Sequence, residues 1–397
     1  MSRVSKTDAN TAPGTTAVGA NGIVAREKPK EKPMTAFVES CVETAAGSAV
    51  AAERQARGRP RFGRLLKLLK DKKRILITTH RYPDPDALAS SLALSHLLKS
   101  QLPSAAIEMS IRGQLGGGIN QTFVTAAHLT LRPWDDATLA DYDAIILLDV
   151  QPGVSYSPLP ANIAPTAVID HHRTRRKPKC DFCDVRTDVG ATSSIIFSYF
   201  MEVEEPISPD LAAILLYAIE SDLAGAAGQP GELDNIALSS LTLLANTRKL
   251  YQMRYADLPQ SYYACYYSGL SNAVYYDQAI FSHLDTIDSP EKPAVIADFL
   301  LRFEPVQWAL VTAVYENRLV LSLRTSSAKL SAADMICRLL RSDGEGGGHR
   351  TKAGGFIPLE TGSPAEIDRK RTDLRKRYLR ALNIKQPQGK RLVQKPE

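Results

Sequence analysis

The chain has no apolar run approaching the ~18 residues that a membrane-spanning helix needs, so a helical span is not expected. Cysteine is scarce and odd in number, five in 397 residues, which argues against a disulfide framework. Cys180-x-x-Cys183 has no second such pair to complete four thiolate ligands, which argues against a structural zinc site. The small, weakly hydrophobic stretch 45–52 lacks the core of a secretory signal, and no internal repeat is present. A cytoplasmic address is the expectation. With 44% hydrophobic and 23% charged residues, the chain has room for two domains and a sizeable core.

The net charge of +6 hides a strong asymmetry. Residues 1–75 carry 16 Lys/Arg against 7 Asp/Glu, and 368–397 carry 11 against 3. The ends contribute +9 and +8, leaving −11 for the middle. Basic ends suit weak polyanion binding or simply solubilise the chain. An acidic middle is expected where carboxylates gather around cations that the count omits.

Short β-branched runs, Ile75-Leu76-Ile77, Ile145-Ile146-Leu147-Leu148 and Val168-Ile169, read as buried parallel strands. Residues 67–74 form a basic lead-in to the first. A helix with a leucine stripe (Leu88, Leu92, Leu94, Leu97, Leu98) follows Asp84-Pro85-Asp86. Strands over 105–111, 144–149 and 166–170 alternate with helices over 192–201 and 209–220, which argues for βαβ units. Residues 232–270 are helical and Tyr-rich, the tyrosines of Tyr262-Tyr263-x-x-Tyr266-Tyr267 suiting helix packing better than base stacking. A second α/β unit has strands over 279–284, 306–315 and 319–324 and helices over 291–301 and 332–340. Glycine-rich segments follow it, then a charged helix over 364–382.

Acidic and imidazole residues recur just after the strands: His80-x-x-x-Asp84-x-Asp86, Asp149, Asp170-His171-His172, then Asp222. Parallel strands put their carboxyl ends along one sheet edge, where open α/β sheets bind ligands. Each piece alone has an ordinary reading. His80 suits a turn, Asp84 or Asp86 a helix cap, and Asp149 a strand end. Adjacent His171 and His172 point different ways on an extended backbone. Together, four aspartates and two histidines suit a pair of Mn²⁺-like ions. Such ions, about 3.5–4 Å apart, share a carboxylate and activate water against phosphorus.

These segments resemble a known family. His80-Arg81-Tyr82-Pro83-Asp84-Pro85-Asp86-Ala87-x-x-Ser90, Leu148-Asp149, Ile169-Asp170-His171-His172 and Tyr217-Ala218-Ile219-Glu220-Ser221-Asp222 are similar to the four successive motifs of the DHH phosphoesterases. Gly346-Gly347-Gly348-His349-x-x-x-Ala353-Gly354-Gly355 is similar to the glycine-rich signature of their DHH-associated domain. The resemblance covers residues 74–382 and implies an α/β chain of two domains. With the ends read from composition, the expected layout is a disordered basic arm over 1–60, a parallel-sheet catalytic domain over 61–230, a helical linker over 231–275, a smaller α/β substrate-binding domain over 276–383, and a basic tail over 384–397. The resemblance further implies that His80, Asp84 and Asp149 hold one ion, with Asp86, Asp149, His171 and Asp222 holding the other. Asp170 would orient a histidine and His172 would act as proton donor. Arg324, Gly346, Gly347, Gly348 and His349 would grip phosphate or base. The cofactors implied are two divalent ions, Mn²⁺ ahead of Mg²⁺ or Co²⁺.

Two departures stand out. Many relatives have Asn-Pro-Asp-Gly-Asp where this chain has Tyr82-Pro83-Asp84-Pro85-Asp86. After Asp222 the family often has Thr-Gly and a basic-aromatic pair; here Leu223-Ala224-Gly225-Ala226-Ala227 follows. No ligand is lost in either place, while substrate contacts from the second loop are put in doubt.

The expected activity is hydrolysis of short oligoribonucleotides or dinucleotides, with 3′-phosphoadenosine 5′-phosphate as a further candidate. A cyclic-dinucleotide phosphodiesterase, acting on cyclic di-AMP or its linear product, is the competitor. A catalytically silent nucleotide-binding regulator is the reading from a different class. No membrane partner is expected, and the oligomeric state stays open, a dimer included.

Overall fold

The structure, a computed structural model, describes residues 60–393 except 114, 116–118, 155, 174–176, 224–229 and 386–387. Residues 1–59 of the expected arm, and 386–387 and 394–397 of the expected tail, lie outside the described residues. The chain enters on α1 (Arg61–Leu69), whose Phe62, Leu65 and Leu69 are buried, so part of the basic lead-in is helix. Its first three amides, on Arg61, Phe62 and Gly63, all donate to the Glu202 carboxylate.

Five strands then build an all-parallel sheet: β1 (Arg74–Thr78), β2 (Ala106–Met109), β3 (Ala144–Leu148), β4 (Ala167–Asp170) and β5 (Phe182–Val185). The spatial order is β2-β1-β3-β4-β5. The short apolar runs are strands because both faces are covered. Ile75, Ile77, Ile146, Leu148 and Ile169 face one core. Leu76, Ile145, Leu147 and Val168 face another, with Leu139 and Leu159. β2 and β3 flank β1 on opposite sides, so the chain changes direction across the sheet between β1 and β3. A crevice opens there at the carboxyl ends.

The helices α2 (Pro85–Gln101), α3 (Ile119–Ala126), α4 (Thr192–Val203) and α5 (Pro209–Leu223) complete this half. α2 departs from the expected striped helix. Ser90, Ser91 and Ser95 are buried along with Leu88, Leu94, Leu97 and Leu98, whereas Leu92 is half-buried. It packs against β2, α4 and α5, so apolar and small residues occupy nearly its whole circumference. α3 and the edge strand β5 lack the sustained apolar pattern that would have announced them, whereas α1 carries Phe62, Leu65, Leu66 and Leu69 at helical spacing within and before the basic lead-in.

Three helices follow, α6 (Glu232–Leu244), α7 (Thr247–Arg254) and α8 (Gln260–Ser271). Helix packing accounts for only part of the tyrosine cluster. Tyr262 is buried and Tyr266 packs edge-on against Phe299, while Tyr263 and Tyr267 are exposed.

The second sheet contains β6 (Val274–Tyr276), β7 (Ala279–Thr286), β8 (Trp308–Tyr315), β9 (Arg318–Thr325), β10 (Glu345–Gly348), β11 (Lys352–Pro358) and β12 (Lys390–Arg391). Their order is β10-β11-β9-β8-β7-β6-β12, antiparallel except for the β7–β8 pair. α9 (Lys292–Leu300) makes that crossover. Its Ile296 and Leu300 pack on one face with Ala309, Val311 and Ala313. On the other face Leu319, Leu321 and Leu323 meet α10 (Ala332–Leu340) and α11 (Pro364–Ala381). The glycine-rich segments are strands rather than a loose turn. A Cβ on Gly346 would meet Leu340 Cδ1 at 2.5 Å, whereas one on Gly347 would meet nothing within 4 Å. The ribbon is therefore pressed against α10 on one side and bare on the other.

Candidate metal centre

His80 lies just beyond β1, and Asp84 caps α2, its carboxylate accepting the Ala87 amide at 3.0 Å. The ordinary reading of Asp84 as a cap is thus true, and the same side chain belongs to the centre. Asp86, in the first turn of α2, is 1% exposed. It accepts the backbone amides of Thr192 (2.7 Å) and Ser193 (2.8 Å) at the start of α4, where free N–H groups and the helix dipole favour an anion.

Asp149 leaves β3 at φ 57°, a left-handed conformation that aspartate tolerates better than most residues. The bend directs its carboxylate to the crevice. His80 Nε2 lies 3.6 Å from Asp149 Oδ2, and His171 Nε2 lies 3.4 Å from Oδ1. Thr192 Oγ1 donates to the same Oδ1 at 2.9 Å. His171 also stands 3.4 Å from Asp222 Oδ2, on the last turn of α5.

Asp170 is fully buried at the end of β4 and holds the two histidines that follow it. Its Oδ1 accepts the His171 amide at 2.8 Å and contacts His172 Nδ1 at 2.7 Å. Gln151 Nε2 donates to Oδ2 at 2.7 Å. His171 turns the other way, Nδ1 facing the Val189 carbonyl at 3.3 Å. A proton on Nδ1 leaves Nε2 as a free acceptor, the tautomer of a metal ligand.

Four groups of ligand atoms, each within 4.8 Å, lie among the described residues: His80/Asp84/Asp149, Asp86/Asp149/His171, Asp149/Asp170/His172 and His171/His172/His349; the first two match the two expected ion positions and share Asp149. Asp222 adjoins the second. His171 Nε2 is buried without a hydrogen-bond partner among the described residues, although carboxylate oxygens surround it. An orphaned buried imidazole nitrogen among carboxylates fits a divalent cation, and the oxygen-plus-imidazole donors suit Mn²⁺ or a similar ion.

The protonation pattern of the bare protein has the same cause. Burial pushes Asp86 well above the usual carboxylate range, and repulsion from Asp149 and Asp222 adds to it. Burial likewise raises Asp84, helped by Asp149. Asp149 goes well below that range, since burial is outweighed by His171 and His80. His171 is held well above its ordinary value, as Asp149, Asp222 and Asp86 overcome burial. His172 is pushed up to about 9, the Asp170 contact outweighing burial.

The second sheet reaches this centre at its glycine ribbon. His349 packs on His172 and His171, with ring centroids 4.2 and 5.1 Å apart. Burial and the two neighbouring imidazoles lower it to about 3, so it is neutral. Gly347 pairs with Gly354 and leaves bare backbone on the open side. Arg324 sits directly opposite Lys352 across the β9–β11 pair, hence on the same sheet face. Its guanidinium donates to Asp298 Oδ1 (2.7 Å) and Ser322 Oγ (2.8 Å).

Other residues at the centre carried no motif signal. Gln151 braces Asp170, Thr192 braces Asp149, and Lys352 reaches across from β11 to Asp222. Tyr156 stands edge-on to His80 at 6.4 Å. Only Gly190-Ala191-Thr192-Ser193, read as a helix start, could have suggested an anion site in advance.

A parallel sheet with paired carboxylate–imidazole ligand groups at its switch point defines a class, the α/β proteins with a candidate two-cation centre. Residues 74–219 match the family model described as "DHH family, N-terminal domain". The chain is 27% identical over 304 residues to an uncharacterized protein of Methanocaldococcus jannaschii, covering 76% of this chain and 62% of that protein. It is 30% identical over 174 residues to a protein of Listeria welshimeri named "Probable manganese-dependent inorganic pyrophosphatase", covering 43% of this chain and 55% of that one. The chain therefore spans less than two thirds of the length of these relatives. The fold resembles the crystal structure of an exopolyphosphatase-related protein from Bacteroides fragilis, with TM-score 0.65 and 18% identity, over 81% of this chain and 97% of the other.

Proposed function

We propose that this chain is a divalent-metal-dependent phosphoesterase that hydrolyses short oligoribonucleotides or dinucleotides. The observation that supports it is the sharing of Asp149 between two ligand groups, His80/Asp84 and Asp86/His171, with Asp222 beside the second. His80, Asp84 and Asp149 would hold one ion; Asp86, Asp149, His171 and Asp222 the other. Bound there, divalent ions lower the pKa of water and neutralise phosphate charge.

The remaining chemistry belongs to the chain. Asp170 fixes the His172 ring through Nδ1, leaving Nε2 as the edge that can donate a proton to a leaving oxygen. The field of Asp170 and Asp149 keeps that imidazole protonated at neutral pH in the bare protein. Asp86 is pinned by the start of α4 and Asp149 by Thr192, so the ligands need little reorganisation. His349 and the bare Gly347–Gly354 backbone would face the substrate from the second sheet.

Inorganic pyrophosphate is the second reading, favoured by the 30% identity to the Listeria welshimeri protein. The test is a panel of di- to decanucleotides, cyclic dinucleotides, 3′-phosphoadenosine 5′-phosphate and pyrophosphate with Mn²⁺, Mg²⁺ or Co²⁺, scored by product identity. The proposal expects dinucleotide turnover that Asp149→Asn removes. Turnover confined to pyrophosphate would establish the second reading. Nucleotide binding without any turnover would establish a silent binder.

A further inference from the structure

The loop after β3 brings an aromatic ring to the metal centre. Tyr156 is 38% exposed and stands edge-on to His80, the ring planes at 88°. The preceding loop supplies a second ring, since Tyr82 is 56% exposed two residues before Asp84. The two loops are stitched by backbone. The Arg81 amide donates to the Tyr156 carbonyl at 3.0 Å, and Arg81 Nε contacts the Ser157 carbonyl at 3.3 Å. Arg112 Nη1 fastens the next carbonyl, of Pro158, at 3.0 Å. Gly113 lies so close beneath that a Cβ there would fall 2.0 Å from the Arg81 carbonyl oxygen. The Tyr156 ring thus stands beside His80, where a substrate phosphate would lie, on a braced support that also carries the exposed Tyr82.

Two cations of the facing wall, among the described residues, are bonded to protein groups. Lys352 donates to the Ser221 and Asp222 carbonyls, and Arg324 to Asp298. An inorganic polyanion is best held by open cationic side chains. A π-faced rim next to a phosphate site suits a nucleobase, because every base can stack on an aromatic ring.

We propose that Tyr156 and Tyr82 form a seat for the base of the nucleotide whose phosphate occupies the metal centre, so that the site selects nucleotidyl over base-free phosphoesters. This rests on the phosphoesterase reading and narrows its substrate class. The seat is sequence-tolerant: stacking reads the presence of a base more than its identity.

The experiment compares a ribodinucleotide with its abasic analogue, the same backbone lacking both bases, in the full chain with Mn²⁺. The parent should prefer the base-bearing substrate at least 10-fold in kcat/KM, through KM. Tyr82→Ala and Tyr156→Leu should each cut that preference at least 5-fold, while the Phe variants, which keep the ring, retain it. No preference in the parent, or a preference that survives both substitutions, overturns the seat. If the parent turns over neither substrate, the phosphoesterase reading fails separately. The seat is then decided by titrating Tyr82→Trp with AMP and Mg²⁺: quenched indole fluorescence supports it, and an unchanged signal overturns it.

Discussion

Lys352 Nζ, on β11, donates to the backbone carbonyls of Ser221 (2.6 Å) and Asp222 (2.8 Å) and lies 3.6 Å from Asp222 Oδ1. One ammonium from the second sheet therefore caps the last turn of α5, where unpaired carbonyls and the helix dipole favour a cation. Asp222 is the ligand candidate at a helix C-terminus, and helix ends fray. Lys352→Met should weaken Mn²⁺ binding and lower kcat/KM by about 10–100-fold, the range for residues that orient metal ligands. Calorimetric titration of the variant with Mn²⁺ checks this, with Lys352→Arg expected to restore part of the affinity. Parent-like affinity in Lys352→Met would contradict the role.

Asp149 combines a left-handed backbone with the shared ligand position. Asn tolerates the same backbone, so Asp149→Asn should fold with a Tm near the parent's. Its turnover should fall by more than about a hundredfold. Mn²⁺ binding to the native state raises the parent's stability by about 2.7 kcal/mol at a hundred times Kd. EDTA should reverse that gain in the parent and leave the variant's Tm where it was. A parent Tm indifferent to both Mn²⁺ and EDTA would count against the centre.

Gly113 holds φ 155° against the Arg81 carbonyl. Gly113→Ala must displace the His80–Tyr82 loop, costing about 1–3 kcal/mol from overpacking and strain. KM should rise more than kcat falls, because the rings move further than the buried ligands. Urea denaturation and steady-state kinetics on one preparation separate the two effects.

His283, in β7, is buried and contacts Thr312 Oγ1 at 2.9 Å through Nδ1. Burial, with Arg371 nearby, lowers it from 6.5 to about 4, while Asp285 and Asp368 act weakly in the opposite sense. The folded chain then binds fewer protons than the unfolded chain between those values. Its contribution is fully present above pH 6.5 and is lost as pH falls toward 4, a change of about 2–3 kcal/mol. His283→Gln removes the titration, so the parent should lose more stability than the variant between pH 7 and pH 4.5. Parallel stability curves would show that His283 does not titrate in this way.

Much of the centre was legible because ligand chemistry is carried by residue type. Asp84, Asp86, Asp149 and His171 announce themselves after strand ends, and the structure brings the other three within reach of Asp149. Lys352 and Tyr156 were silent, since nothing in their local sequence separates them from a solvated lysine or a loop tyrosine. Arg324 shows the converse. Its residue type suggested phosphate, whereas its contact with Asp298 depends on where α9 crosses the sheet.

The sequence by itself determined which runs become buried parallel strands and which acidic and imidazole groups follow them, because β-branched periodicity and residue chemistry are local properties. Tertiary structure alone decided that Asp86 is held by the start of α4, that His349 stacks on His172, and that Lys352 closes α5. These contacts join residues roughly a hundred or more positions apart. They follow from how helices and sheets pack in space, which no window along the chain contains.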